Sequence, residues 1–178
     1  MLHVIVTGPE STGKTTLARY LARKLDGIFV PEYPRGYLMA AGRRVERREF
    51  AHFAGALDGL VAAAIAQERP AVVQDTGYEV LRVWSDDKFG EAPDSVRRGW
   101  LAQRPAAYVL CRPDLPWEYD ALREDPHRRD ELFRRYRALL AQTGVPVFEA
   151  AGRGKSRRRE VLHLVRHLGS GGGNWDEA

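Results

Sequence analysis

Residues 2–16 read LHVIVTGPESTGKTT, and this stretch decides the fold. The opening LHVIVT is short, apolar and rich in β-branched side chains, which predicts a buried strand. Residues 8–15, GPESTGKT, then fit the pattern Gly, four residues, Gly, Lys, Ser/Thr of a phosphate-binding loop. Gly8 and Gly13 admit backbone conformations that a Cβ would hinder, so that successive N–H groups can converge on phosphate oxygens. From Lys14 onward Leu17, Leu21 and Leu25 recur at four-residue spacing before Gly27, the mark of an amphipathic helix with a stop signal. The N-terminal dipole of that helix adds positive potential where the phosphates would sit. Gly8, Glu10, Ser11, Thr12, Gly13, Lys14, Thr15 and Thr16 are therefore expected to hold the phosphates of ATP or GTP, with the Thr15 hydroxyl on Mg²⁺.

Strands and helices alternate along the rest of the chain. Short buried strands are expected at residues 28–31, 71–74, 106–110 and 145–148. Between them, apolar spacing predicts a long helix from Phe50 to Ile65, helical segments around residues 80–84 and 93–101, a helix carrying Leu132 to Leu140, and a last one bearing Val161 to Leu168. This order implies parallel βαβ units, an α/β three-layer sandwich around a parallel sheet. One domain over residues 1–168 is expected, with a lid at about residues 113–130 and a flexible tail at residues 169–178 that opens on GSGGG.

The 178 residues carry a formal charge of +4 and a pI near 9.4. All but four of the 28 basic residues are arginine, whose planar fork suits bidentate phosphate binding. No window approaches the ~20 apolar residues of a membrane span. The first ten residues lack a positive n-region and a cleavage site, so a cytoplasmic location is expected. Cys111, the single cysteine, excludes an intramolecular disulfide and a cysteine-rich zinc site. The five histidines are scattered and receive no ligand role.

Beyond the loop, Asp75 follows a buried apolar run, the position of a Walker-B acid that meets Mg²⁺ or its water shell. Thr15 and Asp75 are the expected metal residues. Glu32, in VPEYPR, follows the second strand and should share the sheet's carboxyl edge with the phosphate loop, where ligands of open α/β sheets gather. It could accept a substrate hydroxyl's proton or hold a ribose, with Arg35 on anionic groups and Tyr33 or Trp84 stacking on a base, and Asp87 adding negative charge. Residues 116–130, PWEYDALREDPHRRD, look like a lid whose Arg123, Arg128 or Arg129 would close on the transferring phosphoryl group. The alternative for these arginines is neutralisation by nearby carboxylates on a solvated face.

These segments resemble the ribosylnicotinamide kinase domain of NadR-type proteins and its stand-alone bacterial relatives. The likeness runs through VTGPESTGKTTL, PEYPRGYL, VVQDTGYEVLRVWSDDKFG, DLPWEYDALREDPHRRDELFRRY and TGVPVFEAAG. The resemblance implies a P-loop kinase fold, ATP with Mg²⁺, and phosphorylation of nicotinamide riboside on its 5′-hydroxyl to give nicotinamide mononucleotide. One departure is that Gly77 stands where the family commonly has Asp, in Asp75-Thr76-Gly77. The other is that the larger proteins carry an adenylyltransferase domain ahead of the kinase, which this sequence does not include. The contrasting expectation is a nucleotide-dependent switch, an ATPase or GTPase that binds a protein, an acidic lipid or nucleic acid through its Arg-rich residues 153–159. No membrane partner is expected, and a small-molecule nucleoside is the expected substrate.

Overall fold

The computed structural model describes residues 1–43, 45–118 and 127–169. Five parallel strands form one sheet, β1 (Leu2–Thr7), β2 (Ile28–Val30), β3 (Ala71–Asp75), β4 (Ala107–Cys111) and β5 (Val147–Ala150), in the order β2-β3-β1-β4-β5. The central three strands are largely buried between helices on both faces, and their side chains read as near-continuous apolar runs for that reason. β1 sits between β3 and β4 with Val6 opposite both Asp75 and Val109, so the loop after β1 and the acid ending β3 emerge side by side.

Alternation along β1 sorts the core into two layers. Val4 and Val6 face α1 (Lys14–Lys24) and α7 (Gly154–Gly169), packing with Leu17, Leu21, Val161 and Val165. Ile5 faces the other layer, built by α3 (Glu49–Ile65), α4 (Tyr78–Phe89), α5 (Asp94–Ala102) and α6 (Arg129–Leu140) around Phe50, Phe53, Leu81 and Tyr108. Both layers are a direct consequence of the two-residue side-chain period of a strand.

The fold class read from the pattern holds, with local corrections. α2 (Tyr33–Ala41) begins inside VPEYPR, which the sequence reading treats as the stretch just beyond a strand and gives no helix. Pro34 lies in its first turn, where a missing N–H costs nothing. α7 starts at Gly154, well before its apolar stripe, and includes Gly169, which the reading assigns to the tail; residues 170–178 lie outside the described residues. His163 and His167 form a His-x-x-x-His pair on α7, with ring centroids 4.1 Å apart. No third His, Cys, Asp or Glu completes a metal-binding group there among the described residues. None of the described helices is long and apolar enough to cross a membrane.

Candidate active site

The loop between β1 and α1 takes its shape from two glycines. Gly8 has φ 130°, and a Cβ there would stand 2.7 Å from the Cys111 carbonyl oxygen, so the loop packs tightly on the end of β4. Gly13 precedes α1 in the left-handed region at φ 74° and supplies no side-chain cap, and the first turn of α1 holds no acidic residue. The first backbone N–H groups of that helix thus remain available to an anion. The Thr12 hydroxyl and Lys14 Nζ both donate to the Pro9 carbonyl, each at 2.8 Å, which draws the loop into a closed cradle.

Asp75 is 1% exposed, and its carboxylate accepts from the Thr15 hydroxyl. Its Oδ1 is buried and has no hydrogen-bond partner among the described residues. Burial raises the carboxyl above the ordinary aspartate range, and the charges of Lys14, Arg19 and Arg35 with the Thr15 hydroxyl oppose that rise. A buried carboxylate with an unused oxygen beside a threonine hydroxyl is an oxygen-donor pair suited to a hard divalent cation, so the residues present fit Mg²⁺.

A cavity of about 630 Å³ opens from this cradle. Residues 8–17 form its floor, and Glu32, Arg35, Trp84 and Asp87 enter from α2 and α4. Glu32 is the residue preceding α2, yet it makes no side-chain cap bond to that helix, and it is half-buried in the cavity wall. Asp75 does not line the cavity; it lies beneath it, behind Thr15 and Thr76. Thr76 holds φ 66° without being glycine, a conformation costing about 1–3 kcal/mol that marks the turn after β3 as over-determined by its surroundings. Gly77 explains itself structurally: a Cβ would meet Gln103 Oε1 at 2.5 Å and Glu79 Oε2 at 2.8 Å. The Glu79 carboxylate, fully buried, accepts from the Gly77 N–H at 2.7 Å and from Gln103 Nε2 at 3.0 Å. A carboxylate is therefore present behind this turn, carried two residues later.

Several expected positions fall elsewhere. Tyr33 does not line the cavity; its hydroxyl meets His52 Nε2 at 2.8 Å and its ring packs with Tyr37, His52 and Phe53. Arg128 is held by Asp87 at 2.7 and 3.0 Å and by Glu131 at 2.9 and 3.0 Å, so its charge is spent on carboxylates. Asp87 lines the cavity but is shared between Arg128 and Arg135, and the Arg128 guanidinium holds it below the usual aspartate range. Arg129 donates to the Leu115 carbonyl at 2.8 Å and lies over the Trp117 ring at 5.9 Å, anchoring the limb of residues 113–118 rather than lining the cavity. That limb rests on the phosphate loop, with the Ser11 hydroxyl bridging the backbone N–H and carbonyl of Glu118 at 3.3 Å each. Arg123 and residues 119–126 lie outside the described residues.

Other cavity residues were missed in the sequence. Tyr136 and Leu132 enter from α6, Arg153 from just before α7, and Arg157 and Arg158 from its start. Arg157 is only 5% exposed and donates to the Thr12 carbonyl at 3.0 Å and to Gly152 O at 3.4 Å. A run of basic residues reads as a solvated face, which holds for Arg159 but not for this inward member. Its signal was positional, since residues 151–154 follow β5 at the same carboxyl edge as the phosphate loop.

The comparisons with known proteins agree with this architecture. Two crystal structures of NadR protein, one in complex with NAD and AMP-PNP and one in complex with NR, match at TM-scores of 0.78 and 0.79 with 22% and 21% identity. They cover 97% and 99% of this chain, which spans only about half of theirs (51% and 53%). Thymidylate kinase from Ehrlichia chaffeensis matches at 0.63 with 12% identity, covering 92% of this chain and 98% of its own. A search among curated proteins finds no match. These likenesses establish a P-loop kinase-like fold. The AAA domain family matches residues 3–159, nearly the whole described chain, and the protein belongs to that family of P-loop domains.

Proposed function

We propose that this chain transfers the terminal phosphoryl group of ATP to a hydroxyl of a nucleoside-like small molecule, with nicotinamide riboside as the leading acceptor and its 5′-hydroxyl as the position phosphorylated. The observation that carries this reading is the single cavity that joins the phosphate cradle to Glu32, Arg35, Trp84 and Asp87. A switch needs a nucleotide site; a kinase needs that site continuous with room for an acceptor. The structurally similar NadR proteins, one in complex with NAD and AMP-PNP and another in complex with NR, support this choice of ligands.

The loop N–H groups and Lys14 hold the phosphates and offset charge that develops during transfer. Thr15 and Asp75 would hold Mg²⁺, which supplies further charge neutralisation at the phosphates when bound. Glu32 accepts the proton of the acceptor hydroxyl, since it lines the acceptor side of the cavity, whereas Asp87 there is engaged by Arg128 and Arg135 and Asp75 is buried and does not line it. Trp84 offers an aromatic face, and with the negative charge of Glu32 it favours a cationic ring over a neutral base. Leu115 and Pro116 form a wall over the loop that keeps water from the reacting phosphate. The test is a comparison of acceptors under saturating ATP and Mg²⁺. Nicotinamide riboside should be phosphorylated ahead of uridine and adenosine, and a preference for either neutral nucleoside would reject the cationic-ring assignment.

A further inference from the structure

A second cavity of about 620 Å³ lies on the α3–α5 face of the sheet, away from the phosphate loop. Its apolar wall is Ala54, Leu57 and Val61 of α3, and its deep end is Gln74 of β3 with His3 of β1. Gln74 is 1% exposed. Its Oε1 faces His3 Nε2 at 3.0 Å, while its buried Nε2 donates to nothing among the described residues. A buried amide donor left without an acceptor costs on the order of 1–3 kcal/mol, so this position gains from any molecule that brings one. Burial pushes the His3 imidazole below its ordinary range, and the deep end is uncharged at neutral pH.

The mouth carries a different character. Arg98 and Arg104 stand there exposed. Arg104 donates to the neighbouring Gln103 carbonyl at 2.8 Å, and Arg98 makes no ion pair among the described residues. The acidic residue of the rim, Asp58, is engaged by the Tyr78 hydroxyl at 2.7 Å. The cavity thus presents an apolar wall, cationic donors at the rim and an unused neutral donor in depth.

We propose that this cavity is a second ligand site, for a small organic acid with a flat apolar body: the carboxylate meets Arg98 and Arg104, the body lies on Ala54, Leu57 and Val61, and an acceptor atom or ring face meets Gln74 Nε2. Its volume falls in the range of small-molecule sites, about 300–1,000 Å³. The site is independent of phosphoryl transfer, though Gln74 immediately precedes Asp75 in β3 and Tyr78, which lines the cavity, opens α4.

Gly55 supplies a clean test. It lines the cavity from the exposed side of α3, and a Cβ there meets nothing within 4 Å, so Gly55→Phe fills the space without forcing the core. Binding of 4-fluorobenzoate is followed by ¹⁹F NMR on the full chain with Mg²⁺ and excess AMP-PNP present, beside 4-fluorobenzylamine as the cationic counterpart. Wild type and Lys14→Ala should bind the carboxylate saturably and equally, and bind the amine much more weakly. Gly55→Phe and the surface variant Arg98→Glu should each weaken carboxylate binding at least tenfold. Absence of saturable binding to wild type, equal binding of the amine, or undiminished binding by Arg98→Glu would overturn the proposal. Arg98→Glu decides the matter even where Gly55→Phe disturbs the helix.

Discussion

The two halves of the main cavity are built in opposite ways. The phosphate half comes from one unbroken stretch, residues 8–17, whose shape follows from Gly8 against β4, Gly13 before α1 and the bonds of Thr12 and Lys14 to the Pro9 carbonyl. The acceptor half is collected from separate places: Glu32 just before α2 and Arg35 on it, Trp84 and Asp87 on α4, Leu132 and Tyr136 on α6. A local half has its chemistry written in spacing, whereas a collected half depends on how helices pack. Damage to the first should abolish phosphoryl transfer whatever the acceptor. Damage to the second should change rate and selectivity while leaving ATP binding largely alone.

The largest expected effect lies in the local half. Lys14→Ala should remove turnover while the thermal unfolding transition stays near wild type, because the lysine bonds to a loop carbonyl at the surface of the cavity and contributes no core packing. Measured phosphoryl transfer at the wild-type rate would break the comparison at its root. Next comes Glu32→Gln, expected to lower kcat by roughly 10²–10⁴-fold with ATP affinity little changed, as loss of a general base does. A parallel loss of ATP binding would show that the two halves are not separable. Asp75→Asn should flatten the Mg²⁺ dependence of ATP binding and slow turnover, since an amide is a poorer ligand than a carboxylate for a divalent ion. An unchanged Mg²⁺ titration would reduce Asp75 to a partner of Thr15.

A smaller effect is expected at Arg157, which reaches from α7 to the phosphate loop. Arg157→Met leaves the Thr12 and Gly152 carbonyls without their donor and should cost about 1–3 kcal/mol in stability and weaken nucleotide binding, with kcat close to wild type. Denaturant unfolding with and without nucleotide measures both. The smallest functional effect belongs to Glu49, which joins α3 to the segment after α2 through Arg43 at 2.7 and 3.0 Å. The Arg43 guanidinium holds its carboxyl down at about 2 against an ordinary 4.5. A depressed carboxyl stabilises the folded state fully above the unfolded value and loses that contribution as pH falls. The stability gap between wild type and Glu49→Gln should therefore be present at neutral pH and close between about 4.5 and 2, with turnover unaffected. A gap that persists at the acid end would mean that packing, not charge, makes the difference.

The same contrast explains what was legible before the structure. Every strand was visible within a residue or two, because β-branched runs ending at glycine, proline or aspartate carry their own boundaries. The cradle was equally plain, with Gly8 and Gly13 bracketing the loop. α2 was hidden because the prolines of VPEYPR suggest a turn, although Pro34 is tolerated in a first helical turn. The partner of Arg128 was hidden more deeply: beside the nearby Glu131 it meets Asp87 across 41 residues of sequence, and nothing in either neighbourhood announces that pairing. Tyr33, an alternative to Trp84 for stacking because it adjoins Glu32, opens α2 and turns its ring onto His52 and Phe53 instead. Arg157 was obscured by company, one inward arginine in a run of outward ones.

The measurement that tests the central claim most directly is the coupling of ADP release to an acceptor. Wild-type protein with ATP and Mg²⁺ is followed for ADP with and without nicotinamide riboside, and the nucleoside product is weighed by mass spectrometry. A kinase whose cavity joins cradle and acceptor should release ADP rapidly only when the nucleoside is present, in step with formation of nicotinamide mononucleotide. Slow ADP release at the same rate in both arms, with no phosphorylated nucleoside from this or any other acceptor tried, would contradict it and leave a nucleotide-driven switch as the account of the protein.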